Sequence, residues 1–215
     1  MTNPKIKNFD LVETILWENG EFFLLNLHLE RLKKSAEVFG FPYNEGDVNK
    51  FLEDASNSFD PSGKYRMRLL LKRSGKIQLS SSPLDPPENL PVKITISDKR
   101  TDRNDIFLRH KTTNRELYDR EFTKCRTNGF YDCVFLNEDS EVTEGAISNI
   151  IVKHEQEHWT PPLASGVLPG VYRQHFIETG ELGLKEKVLY AEDLLNAEKI
   201  YMINSVRGIL PAVLA

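Results

Sequence analysis

The segment Phe107-Leu-Arg-His-Lys111-Thr-Thr-Asn-Arg115 is the most informative stretch of this sequence for both fold and chemistry. It joins a strand-like stretch to a helix-like one, and it crowds Arg109, His110 and Arg115 around one lysine. Neighbouring cations disfavour a second ammonium group, so they make the neutral, nucleophilic amine more available. A lysine needs that form to make a Schiff base with a carbonyl compound. We interpret Lys111 as a candidate nucleophile; a solvated surface lysine is the ordinary alternative.

The bulk composition is that of a globular protein without a polyanionic partner. The chain has 215 residues, enough for one large domain or two small ones that share an interface. Its hydrophobic fraction of 40%, charged fraction of 28% and formal net charge of −4 are ordinary values. Because there is no basic run, we expect neither nucleic acid nor a membrane surface as a partner. No apolar leader or long apolar run is present, so we expect a cytoplasmic protein.

Cysteine and histidine spacing argues against two further classes of protein. Cys125 and Cys133 fit neither a disulfide framework nor a zinc-ligand spacing, so we expect free thiols that are buried or half-buried. The five histidines are scattered and form no paired arrangement, so no metal site is predicted.

Turn residues and apolar periodicity predict an α+β fold in two parts, with domains at 1–105 and 106–215. Asn19-Gly20 favours a hairpin turn, Asn26 is the expected N-cap of the first helix, and Gly40 is expected to end it. The proline-rich segment 83–91 is typical of a linker. The predicted strands are 9–17, 21–25, 64–73, 76–82, 92–97, 133–136, 147–152 and 199–204; the predicted helices are 26–39, 46–58, 113–127 and one that opens near Pro169-Gly170.

The segment Gly166-Val-Leu-Pro-Gly170-Val-Tyr-Arg173 is a glycine-punctuated loop that leads into this last helix. Gly170 allows a ligand to approach the backbone closely, and Pro169 suits the start of a helix. Backbone N–H groups at a helix N-terminus, with the helix dipole behind them, bind phosphate well. The segment therefore predicts a phosphate site, with an ordinary loop-to-helix connection as the alternative.

Two further charged residues suit the same ligand. His28 and Arg31 lie three apart on one helix face, and an arginine binds phosphate through two parallel hydrogen bonds. Glu144 follows alternating apolar and polar residues and precedes a glycine, which indicates a carboxylate that faces a cleft. Such a carboxylate can hold a proton on a heterocyclic nitrogen. A solvated arginine and a turn glutamate are the alternatives. With Lys111 and the glycine loop, the set meets the binding needs of pyridoxal 5′-phosphate.

These ordered motifs resemble the class IV (fold type IV) pyridoxal-phosphate enzymes. That group includes the branched-chain and D-amino-acid aminotransferases and aminodeoxychorismate lyase, and the resemblance runs over about residues 9–212. It implies a small N-terminal α/β sandwich domain, a larger β-rich pseudo-barrel domain, a cofactor at their interface and a homodimer.

The resemblance also assigns a role to each motif. His28-Leu-Glu-Arg31-Leu is similar to the family's phosphate-arginine helix, Lys111 to the cofactor lysine and Glu144 to the carboxylate on the pyridine nitrogen. It implies that the backbone N–H groups of Val171 and Tyr172 bind the phosphate. Ser205 matches a position that often places a hydroxyl on the same phosphate.

Within the family, the sequence motifs most resemble those of aminodeoxychorismate lyase, including the lyase-like half of bifunctional p-aminobenzoate synthases. The similar segments are 107–115, Trp159-Thr-Pro-Pro-Leu, Ser165-Gly-Val-Leu-Pro-Gly and Ile203-Asn-Ser-Val-Arg-Gly. This subgroup implies conversion of 4-amino-4-deoxychorismate to p-aminobenzoate and pyruvate in folate synthesis, with an aminodeoxychorismate synthase supplying the substrate.

The substrate has two carboxylates that need cationic partners. Arg207 is the first candidate, and Arg109 and Arg115 follow it. The sequence also lacks most of the N-terminal strand and turn of longer members, so we expect a different wall of the substrate pocket. Two alternatives stay open: a class IV aminotransferase acting on branched-chain or D-amino acids, and a non-catalytic relative that only binds a ligand.

Overall fold

A computed structural model describes residues 8–86 and 89–215, which form two compact units. Unit 1 is Met1–Asp85 with His110–Arg115, and unit 2 is Pro86–Arg109 with Glu116–Ala215. The boundary between the two units lies after residue 85. The sequence places the domain boundary after residue 105, and that division stays a prediction. The difference arises because residues 92–101 pair with strands of unit 2, while the segment around Lys111 returns to unit 1.

Unit 1 is a four-stranded antiparallel sheet with two helices. The strands lie in the order β2-β1-β3-β4, and β1 is buried along most of its length. Helix α1 packs on β1 and buries Leu29, Leu32 and Ala36, as the helical spacing of its apolar residues predicted. The elements are β1 (Leu11–Glu18), β2 (Glu21–Phe22), α1 (Leu25–Phe39), α2 (Glu45–Ser56), β3 (Lys64–Leu71) and β4 (Ile77–Pro83).

The turn and cap residues predicted for unit 1 are confirmed at the hairpin turn and at the end of α1, and the prediction is wrong at the start of α1. Asn19 and Gly20 both have positive φ, as a type I′ hairpin turn requires, and Gly40 ends α1 in the left-handed conformation. Asn26 is not the N-cap. The N-cap is Leu24, two residues earlier, and α1 begins at Leu25, because Leu24 adopts a left-handed conformation that turns the chain out of the short strand β2.

Unit 2 is built on an eight-stranded mixed sheet with the order β10-β9-β8-β11-β12-β5-β6-β7. Its strands are β5 (Val92–Thr101), β6 (Asp132–Asn137), β7 (Val142–Gly145), β8 (Asn149–His154), β9 (Glu157–Thr160), β10 (Leu184–Glu186), β11 (Lys199–Asn204) and β12 (Gly208–Leu214). Its helices are α3 (Glu116–Thr127), α4 (Val171–Thr179) and α5 (Ala191–Leu195), with 3-10 turns at Ile106–Arg109, Leu163–Ser165 and Glu181–Gly183. The two units together confirm the predicted α+β class.

Several boundaries in unit 2 differ from the sequence prediction for local reasons. The strand predicted at 147–152 begins at Asn149 because residues 145–148 form a closed turn, in which the N–H of Gly145 donates to the carbonyl of Ser148. Strand β5 runs on to Thr101, and α3 begins at Glu116 rather than at residue 113. The linker predicted at 83–91 begins on the last residue of β4, and its residues 87–88 lie outside the described part of the chain.

Cys125 on α3 and Cys133 on β6 are both free and buried, as predicted. Burial raises the pKa of each thiol, so both carry their protons at neutral pH. Within residues 8–86 and 89–215, no group of three or more histidine, cysteine or acidic side chains is arranged to hold a metal ion. None of the helices in those ranges is long and apolar enough to cross a membrane.

Candidate active site

Lys111 lies in a short extended segment that runs antiparallel to the start of β1 in unit 1. Its carbonyl accepts the N–H of Val12 at 2.9 Å, and the N–H of Thr113 donates to the carbonyl of Asp10 at 2.9 Å. The N–H of Asp10 in turn donates to the Thr113 hydroxyl at 2.9 Å. The lysine itself is half-buried. Its backbone is therefore fixed on both sides, which places the side chain on a rigid element.

A buried charge cluster lies next to this segment, on β1 and α1. Glu13 accepts hydrogen bonds from Arg31 Nε at 2.9 Å and Arg31 Nη2 at 2.6 Å, and its Oε2 lies 2.6 Å from His28 Nδ1. All three side chains are buried. At least two of the five N–H donors of Arg31 thus go to Glu13. The cluster confirms the shared helix face of His28 and Arg31, and it adds a carboxylate that the sequence reasoning missed.

The electrostatics of the cluster follow from burial and charge pairing. Burial alone would raise the pKa of Glu13, but Arg31 and His28 outweigh it and lower the pKa to about 2. Burial lowers the pKa of His28, and the nearby charges of Arg31 and Lys111 lower it further against the opposing effect of Glu13. His28 is consequently neutral at pH 7, and its Nε2 has no hydrogen-bond partner among the described residues.

His110 does not crowd Lys111 simply as a charge. Its Nδ1 lies 2.9 Å from the Ser35 hydroxyl, and its ring meets Phe39 edge-on at 4.9 Å. The residue therefore holds the lysine segment against α1. Arg115 belongs to unit 1 and is half-buried, whereas Arg109 belongs to unit 2 and is exposed.

Glu144 is buried in unit 2, at the end of β7. Its Oε1 accepts the Tyr118 hydroxyl at 3.2 Å, and its Oε2 accepts Asn149 Nδ2 and the N–H of Leu168, each at 3.2 Å. These three donors come from α3, β8 and the glycine loop, and each of them is uncharged. The carboxylate is thus held in one direction by three different elements.

Asn149 ties Glu144 to the glycine loop. Besides its bond to Glu144, its Nδ2 donates to the carbonyl of Leu168 at 3.1 Å. A Cβ atom at Gly170 would lie 1.8 Å from Asn149 Oδ1, so the loop fits against Asn149 only with glycine there. The predicted approach of a ligand to Gly170 stays a prediction; the close approach that the structure shows there is that of Asn149.

The helix predicted after Pro169-Gly170 is α4, with Gly170 as its N-cap and Val171 and Tyr172 as its first two residues. Gly170 has no side chain with which to cap this end. First-turn N–H groups at a helix N-terminus suit an anion. Arg173, in the first turn of α4, anchors the helix to its neighbours, because its Nη2 donates to the Pro161 carbonyl at 2.8 Å and pairs with Glu186.

Ser205 directly follows β11 and is buried. Asn204 shapes its turn: Oδ1 accepts the N–H groups of Val206 at 3.0 Å and Arg207 at 2.7 Å. The side-chain amide of Asn204 lies 3.4 Å from the Ile147 carbonyl. The Ser205 turn is therefore joined to the turn that follows Glu144.

Arg109 lines a cavity of about 310 Å³ in unit 2. The other lining residues are Leu163, Ala164, Val167 and Pro169, all apolar and all from the segment that contains the glycine loop. Arg207 is half-buried, and its charge acts on the Tyr131 hydroxyl. The three arginines predicted for the substrate thus have different surroundings.

Each unit gathers its own share of the predicted residues. Unit 1 brings Lys111 and Arg31 together through β1 and the Glu13 cluster. Unit 2 brings Glu144, the start of α4 and the Ser205 turn together around Asn149, which pairs with Ile203 across β8 and β11. Glu13 and Asn149 are the residues that the sequence reasoning missed. Glu13 carried a usable signal: it is the one charged residue in the mainly apolar stretch Leu11-Val-Glu-Thr-Ile-Leu-Trp17.

The family model described as amino-transferase class IV matches residues 10–214. The chain belongs to this family. Pyridoxal phosphate is the cofactor of the family, as the resemblance implied, and its members are enzymes.

Three comparisons illustrate how the family divides by activity. A Schizosaccharomyces pombe protein named "Putative aminodeoxychorismate lyase" is 30% identical over 221 residues, which cover 95% of this chain and 89% of that relative. A Thermotoga maritima protein named "Probable branched-chain-amino-acid aminotransferase" is 27% identical over 218 residues, covering 93% of this chain and 74% of that relative. The crystal structure of a "Putative amino-acid aminotransferase" from Mesorhizobium loti is 31% identical, with a TM-score of 0.90, and covers 97% of this chain and 100% of that one.

Proposed function

We propose that this protein is a pyridoxal-phosphate-dependent lyase that converts 4-amino-4-deoxychorismate to p-aminobenzoate and pyruvate. The observation that carries the lyase assignment is the 30% identity, over 95% of the chain, to a relative named as an aminodeoxychorismate lyase. The resemblance of the sequence of residues 107–115 to that of aminodeoxychorismate lyases supports the same assignment.

The donor set of the chain suits pyridoxal phosphate. In unit 1, Lys111 provides the amine and Arg31 a guanidinium whose direction Glu13 fixes. In unit 2, the start of α4, at Val171 and Tyr172, and the Ser205 hydroxyl suit the dianionic phosphate. Glu144 suits the pyridine nitrogen, because its carboxylate is buried and held in one direction. When bound, the cofactor supplies a carbonyl for amines and a ring that takes up negative charge developing at the substrate carbon.

The chain's own residues then have defined tasks. Lys111 would hold the cofactor through its amine, and the same amine would take up and return the proton at the reacting carbon atoms of the substrate. Glu144 holds a proton on the ring nitrogen, which keeps the ring able to accept charge. Arg207, with Arg109 and Arg115, binds the two carboxylates of the substrate. The protein is further proposed to be a cytoplasmic homodimer that receives its substrate from an aminodeoxychorismate synthase.

The test is a p-aminobenzoate fluorescence assay with enzymatically generated aminodeoxychorismate and the cofactor-loaded protein. We expect product from the wild type and a loss of at least about 10³-fold in turnover for Lys111→Ala. Lys50→Ala is the matched control, because Lys50 is an exposed lysine on α2 and its loss leaves turnover unchanged. Equal activity of Lys111→Ala and wild type would refute the assigned role of Lys111.

The second candidate function is an aminotransferase acting on branched-chain or D-amino acids. It is favoured by the 27% identity to the Thermotoga maritima relative and by the fold match to the Mesorhizobium loti structure. It uses the same lysine, carboxylate and phosphate residues. The discriminating result is release of a keto acid and bleaching of the cofactor absorption by an amino acid, without p-aminobenzoate. If the protein forms neither p-aminobenzoate nor a keto acid, both proposals are contradicted.

A further inference from the structure

Asp132 is a fully buried carboxylate that opens strand β6, and no role proposed so far uses it. Its Oδ1 accepts the N–H groups of Cys133 and Ala146, each at 2.8 Å, and its Oδ2 accepts the N–H of Ile147 at 3.3 Å. Two of these donors belong to the turn 145–148. That turn is the whole connection between Glu144 and Asn149. The Asp132 carboxylate therefore fixes the backbone that links these two residues.

The turn is shaped around this carboxylate. A Cβ atom at Gly145 would lie 2.4 Å from Asp132 Oδ2, a distance that no real side chain tolerates, so glycine is needed for the carboxylate to reach the turn. The Ser148 hydroxyl also bonds to Asp132. The N–H of Gly145 closes the turn on the Ser148 carbonyl at 2.7 Å. The N–H groups of Ala146 and Ile147 and the Ser148 hydroxyl thus bond to Asp132, while the N–H of Gly145 bonds across the turn.

The geometry of Glu144 depends on this turn. Asn149, immediately after the turn, donates to Glu144 Oε2, so a shift of the turn moves the donor relative to the acceptor. On the other side, the Ile147 carbonyl faces the Asn204 side chain, which holds the N–H groups of Val206 and Arg207. A displacement at the turn therefore reaches both Glu144 and the segment after β11.

We propose that Asp132 is a positioning residue: its carboxylate sets the turn 145–148 and thereby the direction in which Glu144 presents its own carboxylate. The consequence for the cofactor rests on the proposed function, in which Glu144 faces the ring nitrogen. The geometric part, from Asp132 through the turn to the Glu144–Asn149 hydrogen bond, stands independently of any cofactor.

The surroundings of Asp132 make the hold on the turn dependent on pH. Burial raises the pKa of Asp132 to about 6, although the N–H donors and the Ser148 hydroxyl lower it. The titratable groups that face it are Tyr131, Cys133 and, from α3, Cys125; Arg126 and Arg207 act on Tyr131. Burial raises the pKa of all three, so they stay protonated near pH 6. Protonation of Asp132 puts an O–H donor where N–H donors point, which weakens the turn.

The first experiment measures the geometry without a cofactor. Amide ¹⁵N and ¹H shifts of Ala146, Ile147 and Leu168 and the side-chain amide of Asn149 are followed from pH 4.5 to 7.5 in the full chain. We expect all four to move together with a midpoint near 6 in the wild type, and the transition to be absent in Asp132→Asn. Asp98→Asn is the matched control, because Asp98 is an exposed aspartate of unit 2.

The second experiment measures binding of pyridoxal phosphate by fluorescence quenching, together with the pH midpoint of the bound cofactor's absorption band. We expect Asp132→Asn to weaken binding about tenfold and to shift that midpoint, because unsatisfied N–H groups loosen the turn. Gly145→Ala tests the same contact from the other side and should have the same effect. Gly46→Ala, on α2, is its control, since a Cβ atom there meets only Asn44 Oδ1 at 3.3 Å.

The outcomes separate this proposal from the proposed function. If the Asn149 and Leu168 signals do not follow the Ala146 and Ile147 signals in the wild type, Asp132 does not position Glu144. If those signals follow but the wild type fails to bind pyridoxal phosphate, the proposed function fails and the positioning role stands. If Asp132→Asn does not fold, the wild-type titration and Gly145→Ala decide. Unchanged cofactor affinity and absorption midpoint in a folded Asp132→Asn or Gly145→Ala variant would overturn the inference.

Discussion

Glu13 in unit 1 and Asp132 in unit 2 are both fully buried carboxylates, yet their pKa values move in opposite directions. Burial raises both. In Glu13 the charge of Arg31 and the hydrogen bond with His28 prevail and bring the pKa to about 2. In Asp132 only neutral donors, namely N–H groups and a hydroxyl, oppose burial, and the pKa rises to about 6. The contrast teaches that burial does not decide the charge of a carboxylate; the charge of its partners does.

The largest effect expected from this contrast is on the charge-paired side. Glu13→Gln removes the negative charge that pairs with the buried guanidinium of Arg31, so we expect a loss of about 3–5 kcal/mol in the free energy of unfolding. Chemical denaturation of the cofactor-free protein measures it. Glu18→Gln is the matched control on the same strand, since Glu18 pairs with Lys64 at the surface and its loss costs less than about 1 kcal/mol.

A double variant sharpens this test. In Glu13→Gln with Arg31→Met, the buried charge is removed together with its partner, so the destabilisation should be smaller than that of Glu13→Gln alone. A double variant as unstable as the sum of its two single variants would mean that the two side chains do not interact, and the comparison would collapse.

The second prediction concerns acid, where the two carboxylates act with opposite sign. The pKa of Glu13 is depressed from 4.5 to about 2, so its contribution of about 3 kcal/mol is present above pH 4.5 and is lost as pH falls towards 2. The pKa of Asp132 is raised from 3.8 to about 6, so this group opposes folding above pH 6, by about 3 kcal/mol, and that penalty disappears as pH falls from 6 towards 3.8.

Denaturation curves over pH 2–7 separate the two contributions. Relative to the wild type, Glu13→Gln should lose its pH dependence below 4.5, while Asp132→Asn should change only the slope between about 4 and 6. The comparison breaks if both variants alter the same pH range.

The smallest effect is expected where a neutral donor is removed. Asn149→Ala takes one of the named donors from Glu144 and one of two donors from the Leu168 carbonyl, which still accepts the N–H of Gly170 at 2.7 Å. We expect it to cost about 1 kcal/mol in unfolding free energy. Thermal and chemical denaturation measure it, with the exposed Asn128→Ala as control. A loss as large as that of Glu13→Gln would show that neutral donors hold a buried carboxylate as strongly as charges do.

The sequence singled out candidate site residues but not the contacts that hold them. Lys111, Glu144 and the start of α4 lie in short local motifs, and their roles stay predictions. Turn residues such as Asn19-Gly20 and Gly40 act through their own backbone, so local pattern was sufficient to place those turns. It failed at Asn26, because the conformation of Leu24 set the start of α1, and no propensity predicts a leucine with positive φ.

The supporting residues escaped because their partners are distant in sequence. Glu13 lies 18 residues from Arg31, and Asn149 lies 19 residues from the Leu168 carbonyl. Asp132 holds a turn 14 residues away. Such pairings depend on strand register, which a single sequence specifies only through tertiary packing. The short strands β7, β9 and β10 went unpredicted for the same reason.

The position of β12 has a consequence for how the chain is made. β12 is the last strand in sequence order, yet it lies between β11 and β5, and it joins β5 through Ala212–Leu214 alone. Until those residues leave the ribosome, the nascent chain carries two half-sheets whose facing edges, β5 and β11, have no strand to pair with. Such open edges template association between chains. Truncation before residue 208 should therefore yield aggregation during synthesis rather than a smaller folded protein.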